Sequence, residues 1–122
     1  WDRFQVESYL DYHGEKLARR FDANSYLLLN RTMDLHDISR DRGSLKSALE
    51  RIARVPVITL SISSDALYPP YQQKEMKEAV IGAGGECDYH IVDSPDGHDG
   101  FLLAVKEIGV HLESFLSKIS TG

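Results

Sequence analysis

The chain of 122 residues is long enough for one domain, and its 42% hydrophobic and 27% charged residues exclude a disordered or fibrous protein. Its formal net charge of −5 disfavours binding to nucleic-acid phosphates. No apolar run approaches the roughly 20 residues of a membrane span, and the first residues do not resemble a signal peptide. Because the single cysteine, Cys87, has no disulfide partner, we expect a cytoplasmic protein that contacts neither membranes nor nucleic acid.

Three helices are predicted in the first half of the chain, from apolar residues at helical spacing and from polar residues that can cap a helix. The first helix covers residues 4–18. The second can be capped by Asp22 or Asn24 and reaches Met33, and the third is a short helix from the capping residue Ser44 to Ile52. The stretch 34–43 before Ser44 carries charges of both signs and indicates a loop.

Two strands are predicted in the second half. Residues 55–62 form an uninterrupted β-branched run, which is typical of a strand covered on both faces of a parallel sheet. Pro56 must lie near the start of this strand because it has no N–H to donate. The second predicted strand covers Cys87–Val92.

Two further helices accompany these strands. Pro70 can open the first of them, which is predicted over residues 71–81. Its predicted inward side chains are Met76, Ala79 and Val80. After the turn-rich stretch 93–100, apolar residues repeat at intervals of 4, 3, 4, 3 and 4 from Phe101 to Ile119, which predicts one continuous last helix.

The order of these elements predicts the α/β class, because three helices are followed by strand, helix, strand and helix. Two parallel strands make a poor sheet, since both outer edges would expose backbone groups without partners. We therefore expect further strands of the same sheet to lie outside this chain.

Two ionisable residues, Asp65 and His98, lie in the loops after the predicted strands, where parallel α/β sheets place their chemistry. A carboxylate followed by an imidazole 98 − 65 = 33 residues later matches the order of the last two members of a Ser…Asp…His triad. The carboxylate would fix the imidazole tautomer, and the imidazole would move the proton of a nucleophile. The alternative is structural, with Asp65 as a turn residue and His98 as a loop residue before a helix that Asp99 caps.

The sequence pattern offers no nucleophile and no metal site. No G-x-S-x-G segment occurs in the chain, so the serine of such a triad would have to lie outside it. The remaining histidines have no metal-ligand spacing, and we therefore predict no metal site. They are His13, His36, His90 and His111.

Four blocks of the sequence resemble the homoserine O-acetyltransferase family, in the order in which the family has them. They are residues 4–10 (FQVESYL), 21–27 (FDANSYL), 62–70 (ISSDALYPP) and 93–103 (DSPDGHDGFLL). The resemblance covers nearly the whole chain and corresponds to the C-terminal portion of family members. It departs at Gly100, where many members carry Ala.

This resemblance implies the C-terminal part of an α/β-hydrolase fold, formed by its last two parallel strands and their helices and preceded by helices of a lid. Residues 1–43 would be the end of the lid segment, and residues 44–122 would hold the acid loop and the histidine loop of the main domain. Asp65 and His98 would be the catalytic acid and base, and Asp99 would help to hold the amino group of the substrate.

In this family a serine takes an acetyl group from acetyl-CoA and passes it to the hydroxyl of L-homoserine, a step of methionine biosynthesis. The resemblance implies these two substrates, no bound cofactor, the missing N-terminal portion of the enzyme as partner, and a homodimer through the lid helices. The chain alone would be inactive because it lacks the serine. The alternatives are a related acyltransferase that acetylates serine or succinylates homoserine, an esterase, or a non-catalytic truncated fragment.

Overall fold

The computed structural model describes residues 3–120, which form two compact units divided between Asp37 and Ile38. The first unit contains α1 (Gln5–Arg20) and α2 (Ala23–Asp34). The second contains α3 (Leu45–Glu50), β1 (Val57–Ile62), α4 (Pro70–Gly82), β2 (Cys87–Val92), a 3₁₀ turn (Gly97–Asp99), α5 (Gly100–Leu103) and α6 (Val105–Ser120). The division falls inside the predicted loop 34–43. The assignment of residues 1–43 to a lid and of residues 44–122 to the main domain stays a prediction.

Polar contacts define where the helices of the first unit begin. Glu7 Oε2 accepts a hydrogen bond from the backbone N–H of Phe4 at 3.0 Å at the start of α1. Asp22 caps α2, because its Oδ1 accepts from the N–H of Ser25 at 2.8 Å. The two helices predicted in this region are therefore confirmed, and of the two candidate caps Asp22 is the one used.

The sheet consists of β1 and β2 in parallel, with Val57 opposite Cys87 and Ile62 opposite Val92. The strand β1 begins directly after Pro56, two residues later than the sequence pattern predicts, and its side chains are buried or half-buried on both faces. Each strand has one edge without a strand partner among residues 3–120. The predicted α/β class with two parallel strands is confirmed.

The helix α4 runs back along the sheet and connects the two strands. It starts at Pro70, in the first helical position, where the missing N–H leaves no hydrogen bond unmade. Val80 is 6% exposed, as predicted for an inward side chain, whereas Met76 is 56% exposed. The prediction for Met76 is wrong because this side chain lines an open groove of about 510 Å³ between α3 and α4. The chain then turns into β2 through Gly84, whose φ of +83° favours glycine.

The predicted continuous last helix is wrong at Ala104. This residue has φ −79° and ψ 47°, which is not helical, and it separates α5 from α6. The chain buries Gly100 and Ala104 against the sheet, while the predicted stripe residues Phe101 and Val105 are 51% and 66% exposed. The bend therefore follows from the burial of these two small residues, Gly100 and Ala104, which lets the backbone lie close to the ends of the strands.

A small apolar core joins the sheet to this bend. It consists of Ile62, Val92 and Ala104, with Ile108 of α6 packed against it. At the far end of α6, the Lys118 Nζ donates to Asp88 Oδ2 of β2 at 2.7 Å. Across residues 3–120, no helix combines the length and the hydrophobicity needed to cross a membrane.

We expect Gly100→Ala to lower the free energy of unfolding by about 1–3 kcal/mol, the usual cost of overpacking a core. An added Cβ would lie 2.7 Å from Cγ2 of Ile62 and 3.3 Å from Oγ of Ser94. A β-branched side chain such as Ile62 has little rotamer freedom to move away. Urea denaturation of both proteins measures the difference.

Gly109→Ala is the matched control for this substitution, because a Cβ added at Gly109 meets nothing within 4 Å. Alanine is the better helix former, so this control should keep or raise stability. Equal stability of the Gly100→Ala variant and the unchanged chain would contradict the close approach of Gly100 to Ile62.

Candidate active site

The carboxyl ends of β1 and β2 place two loops side by side. Because Ile62 lies opposite Val92, the strands end at the same level of the sheet. The N–H of Ser63 donates to the carbonyl of Val92 at 2.9 Å and extends the pairing beyond the strands. The loop after β1, which contains Asp65, is called the acid loop below, and the loop after β2, which contains His98, the histidine loop.

Asp65 is 8% exposed and uses its two carboxylate oxygens for different contacts. Oδ1 accepts from the backbone N–H groups of Leu67 at 2.8 Å and Tyr68 at 2.9 Å. Oδ2 lies 2.8 Å from Nδ1 of His98. Asp65 is therefore both the turn residue of the structural interpretation and the imidazole partner of the functional one.

His98 lies in the 3₁₀ turn Gly97–Asp99, between two aromatic rings. The ring centroids of Tyr68 and Phe101 are each 5.1 Å from that of the imidazole. With Nδ1 on Asp65, the other nitrogen, Nε2, has no hydrogen-bond partner among residues 3–120, and the side chain is 39% exposed. The imidazole is thus held on one side and open on the other, as a proton-transfer group must be.

The hydrogen bond with His98 is the largest cause that holds the pKa of Asp65 below the ordinary carboxyl range. Burial acts in the opposite direction and raises this pKa, whereas the N–H groups of Tyr68 and Leu67 lower it further. The ionised carboxylate is therefore the form that the folded protein favours.

This lowered pKa predicts a loss of stability in acid. Since Asp65 binds its proton less readily when folded than when unfolded, it stabilises the fold above the ordinary carboxyl pKa of about 3.9. That contribution disappears as the pH falls through the lower pKa of the folded state. We expect the urea midpoint to fall less steeply below pH 4 in Asp65→Asn than in the unchanged chain, and identical acid limbs would contradict the shift.

Hydroxyl groups also join the two loops. Ser63 Oγ donates to Asp93 Oδ1 at 2.8 Å and accepts from the N–H of Ser94 at 3.1 Å. Ser94, which is 5% exposed, donates from its own Oγ to Asp96 Oδ2 at 2.8 Å. These serines were not predicted as site residues, because serine in a turn-rich segment has no distinctive spacing.

Asp99 follows His98 directly and is exposed. It occupies the N-cap position of α5, but its side chain makes no capping hydrogen bond. The interpretation of Asp99 as a side-chain helix cap is therefore wrong. Its predicted contact with the substrate amino group stays a prediction.

Two of the other histidines form a pair that the sequence did not indicate. The rings of His90 on β2 and His111 on α6 stack with centroids 4.3 Å apart and planes 19° apart. Nearby, the Lys118 ammonium holds the pKa of Asp88 below its ordinary range. Among residues 3–120, no group of three or more His, Cys, Asp or Glu side chains is placed to hold a metal ion.

Comparison with known proteins gives relatives that share one name. A homoserine O-acetyltransferase from Carboxydothermus hydrogenoformans is 46% identical over 118 residues, which are 97% of this chain and 31% of the relative. One from Symbiobacterium thermophilum is 49% identical over 116 residues, 95% of this chain and 30% of the relative. The predicted resemblance to the homoserine O-acetyltransferases is confirmed. No protein-family model matches the chain.

The homoserine O-acetyltransferase from Moorella thermoacetica shows the same proportions, with 44% identity over 96% of this chain and 31% of the relative. The chain thus spans about a third of the length of the curated relatives it matches. These relatives are named as acetyltransferases of homoserine, and in this chain the carboxylate of Asp65 lies 2.8 Å from Nδ1 of His98. The catalytic roles of both residues stay predictions.

Proposed function

We propose that this chain is the C-terminal portion of a homoserine O-acetyltransferase, in which Asp65 and His98 are the acid and base of a triad. The observation that carries the proposal is the 2.8 Å contact between the buried Asp65 carboxylate and Nδ1 of His98, with the rest of the imidazole exposed. The names of the relatives support acetyl transfer to homoserine. The nucleophilic serine is assigned to a part of the enzyme outside this chain.

The first half of the proposed reaction loads the serine. Nε2 of His98 takes the hydroxyl proton of the serine as the serine oxygen attacks the thioester carbonyl of acetyl-CoA. A carbon–oxygen bond forms and the carbon–sulfur bond breaks. The imidazolium, stabilised by Asp65, returns the proton to the departing thiolate of CoA.

The second half transfers the acetyl group to L-homoserine. Nε2 of His98 takes the proton of the homoserine hydroxyl as its oxygen attacks the acyl-serine carbonyl. The serine oxygen leaves and recovers the proton from the imidazolium. We propose that Asp99, exposed and without a capping bond, faces the amino group of homoserine with its negative charge. No bound cofactor takes part in this sequence.

We further propose that α1 and α2 belong to a lid that contributes to a homodimer. The two helices enclose an apolar groove of about 370 Å³, which includes Leu17, Phe21 and Leu27. Leu27 is 66% exposed and Leu28 is 63% exposed. Because exposed large apolar side chains are stabilised by contact with another surface, these two residues favour an interface. Replacing Leu27 and Leu28 together by Ser in a dimeric enzyme should therefore shift the sedimentation equilibrium towards monomer.

The test of the proposed function uses a chimera in which this chain replaces the aligned residues of the Carboxydothermus hydrogenoformans relative. Release of the CoA thiol is measured with acetyl-CoA and L-homoserine, and the product is identified by mass spectrometry. Separate reactions replace homoserine by L-serine or by water alone, and acetyl-CoA by succinyl-CoA. The chain by itself and the unaltered relative serve as the negative and positive controls.

We expect the chimera to release CoA fastest with acetyl-CoA and L-homoserine, and the chain alone to release none. CoA release that does not depend on homoserine would favour an esterase. Faster turnover with succinyl-CoA or L-serine would favour a related acyltransferase. A folded chimera without any turnover would contradict the proposal and favour a non-catalytic fragment. For the compartment we propose a reducing cytoplasm, which suits the lone Cys87.

A further inference from the structure

A second bond between the loops lies directly beside the Asp65–His98 pair. Ser64 Oγ accepts a hydrogen bond from the N–H of Gly97 at 2.8 Å and donates to the carbonyl of Ser94 at 2.5 Å. Ser64 precedes Asp65, and Gly97 precedes His98, so the two contacts join residues with the same separation of 33. The residue before the acid is therefore tied to the residue before the base.

The N–H of Gly97 is a group that needs such a partner. It opens the 3₁₀ turn Gly97–Asp99, and the first N–H groups of a helical turn have no acceptor within the turn. The preceding residue, Asp96, makes no side-chain capping bond to this turn. Ser64 supplies the acceptor from the other loop.

The backbone at Gly97 makes the orientation of this turn sensitive to that bond. Its φ is +61°, a left-handed conformation that glycine adopts without strain but does not enforce. A Cβ added at Gly97 would meet nothing within 4 Å, so no neighbouring atom blocks a movement of Gly97 in that direction. The hydroxyl of Ser64 thus holds the peptide between Asp96 and Gly97, at the start of the turn that carries His98.

We propose that Ser64 is a positioning residue for the acetyl-transfer reaction. By holding Gly97, its hydroxyl keeps Nδ1 of His98 on Oδ2 of Asp65 and keeps Nε2 directed at the reacting hydroxyl. Ser64 acts through His98 and touches neither substrate. This inference rests on the proposed function for its kinetic consequence, but the geometry of the imidazole can be measured without any turnover.

Ser63 offers a matched control from the same loop. Its hydroxyl also crosses to the histidine loop, but it contacts Asp93 and Ser94 and does not contact Gly97. Ser63→Ala therefore removes a hydroxyl link of the same kind without releasing the N–H of Gly97. The two adjacent serines separate a specific effect on His98 from a general loosening of the loops.

The first measurement is the tautomer of His98 in the chimera, read from ¹⁵N-histidine spectra in which the signal is assigned with His98→Gln. In the unchanged protein we expect the neutral imidazole to carry its proton on Nδ1, because Asp65 accepts it there. Ser64→Val should shift this signal towards the tautomer with the proton on Nε2. Ser64→Thr, which has the same shape as Val but keeps the hydroxyl, should restore the Nδ1 tautomer.

The second measurement compares the kinetics of the same variants. We expect Ser64→Val to lower kcat roughly 10- to 100-fold, the loss that a small misplacement of a catalytic group causes. The KM values should stay within about twofold, because the substrates do not touch Ser64. Ser64→Thr and Ser63→Ala should stay within about threefold of the unchanged chimera.

Unchanged kcat and tautomer in Ser64→Val would overturn the proposal. It would also be overturned if Ser64→Thr lost as much kcat as Ser64→Val, or if Ser63→Ala lost as much kcat as either of them. The hydrogen bond from the Gly97 N–H to the Ser64 hydroxyl would then not be the cause of the loss. Should the Val variant not fold, Ser64→Ala gives the same contrast. If the unchanged chimera transfers no acetyl group, the proposed function fails, while the tautomer comparison still decides the role of Ser64.

Discussion

His98→Ala should lower kcat for acetyl transfer by about 10⁴-fold or more in the chimera that contains this chain. The described residues bring this imidazole to the carboxyl ends of β1 and β2 with its Nδ1 2.8 Å from a buried carboxylate. Without it, the serine keeps its proton and both halves of the reaction slow. The rate of CoA release at saturating acetyl-CoA and L-homoserine measures the loss.

His36→Ala is the matched control for that substitution. His36 is also an exposed imidazole, but it lies in the stretch after α2 and not in either of the two loops. This variant should turn over at the unchanged rate. A His98→Ala variant that retained full turnover would remove His98 from the mechanism and leave its bond to Asp65 a purely structural contact.

Asp65→Asn is expected to lower kcat by about 10⁴-fold while KM changes little. The amide oxygen can still accept from the N–H groups of Leu67 and Tyr68, so the turn of the acid loop should persist. The amide NH₂ would then face Nδ1 of His98 as a donor. This forces the proton of the neutral imidazole onto Nε2, where the reaction needs an acceptor.

The control for the acid is Asp34→Asn, which makes the same change on an exposed residue at the end of α2. It should leave kcat unaltered. Circular dichroism spectra and thermal midpoints that match those of the unchanged chimera would show that the loss of kcat in Asp65→Asn does not come from unfolding. Activity within tenfold of the unchanged chimera would show that the tautomer is fixed by something other than Asp65.

Features with local causes could be predicted from the sequence. Asp22 and Ser44 cap α2 and α3 because each offers an oxygen to an N–H three residues later. Pro70 begins α4 because its fixed φ suits the first helical position. The bounds of β2 matched the prediction, since glycines precede this segment and a turn-rich segment follows it. The contact between Asp65 and His98 was predicted from the topology of parallel strands.

Features that depend on packing between distant segments could not be predicted in this way. The apolar periodicity predicted one continuous helix from Phe101 onwards. The fold instead buries Gly100 and bends at Ala104. The stacking of His90 on His111 requires β2 and α6 to meet, and spacing along the chain says nothing of it. The bond from Ser64 to Gly97 was missed for the same reason.

The turn around Gly84 joins α4 to β2 at the end of the sheet opposite to Asp65 and His98. Since the register of β2 is set by its pairing with β1, we expect residues inserted at the exposed Gly84, between the buried Ala83 and the half-buried Gly85, to leave both loops in place. A short peptide tag inserted there should therefore leave the contact between Asp65 and His98 unaltered.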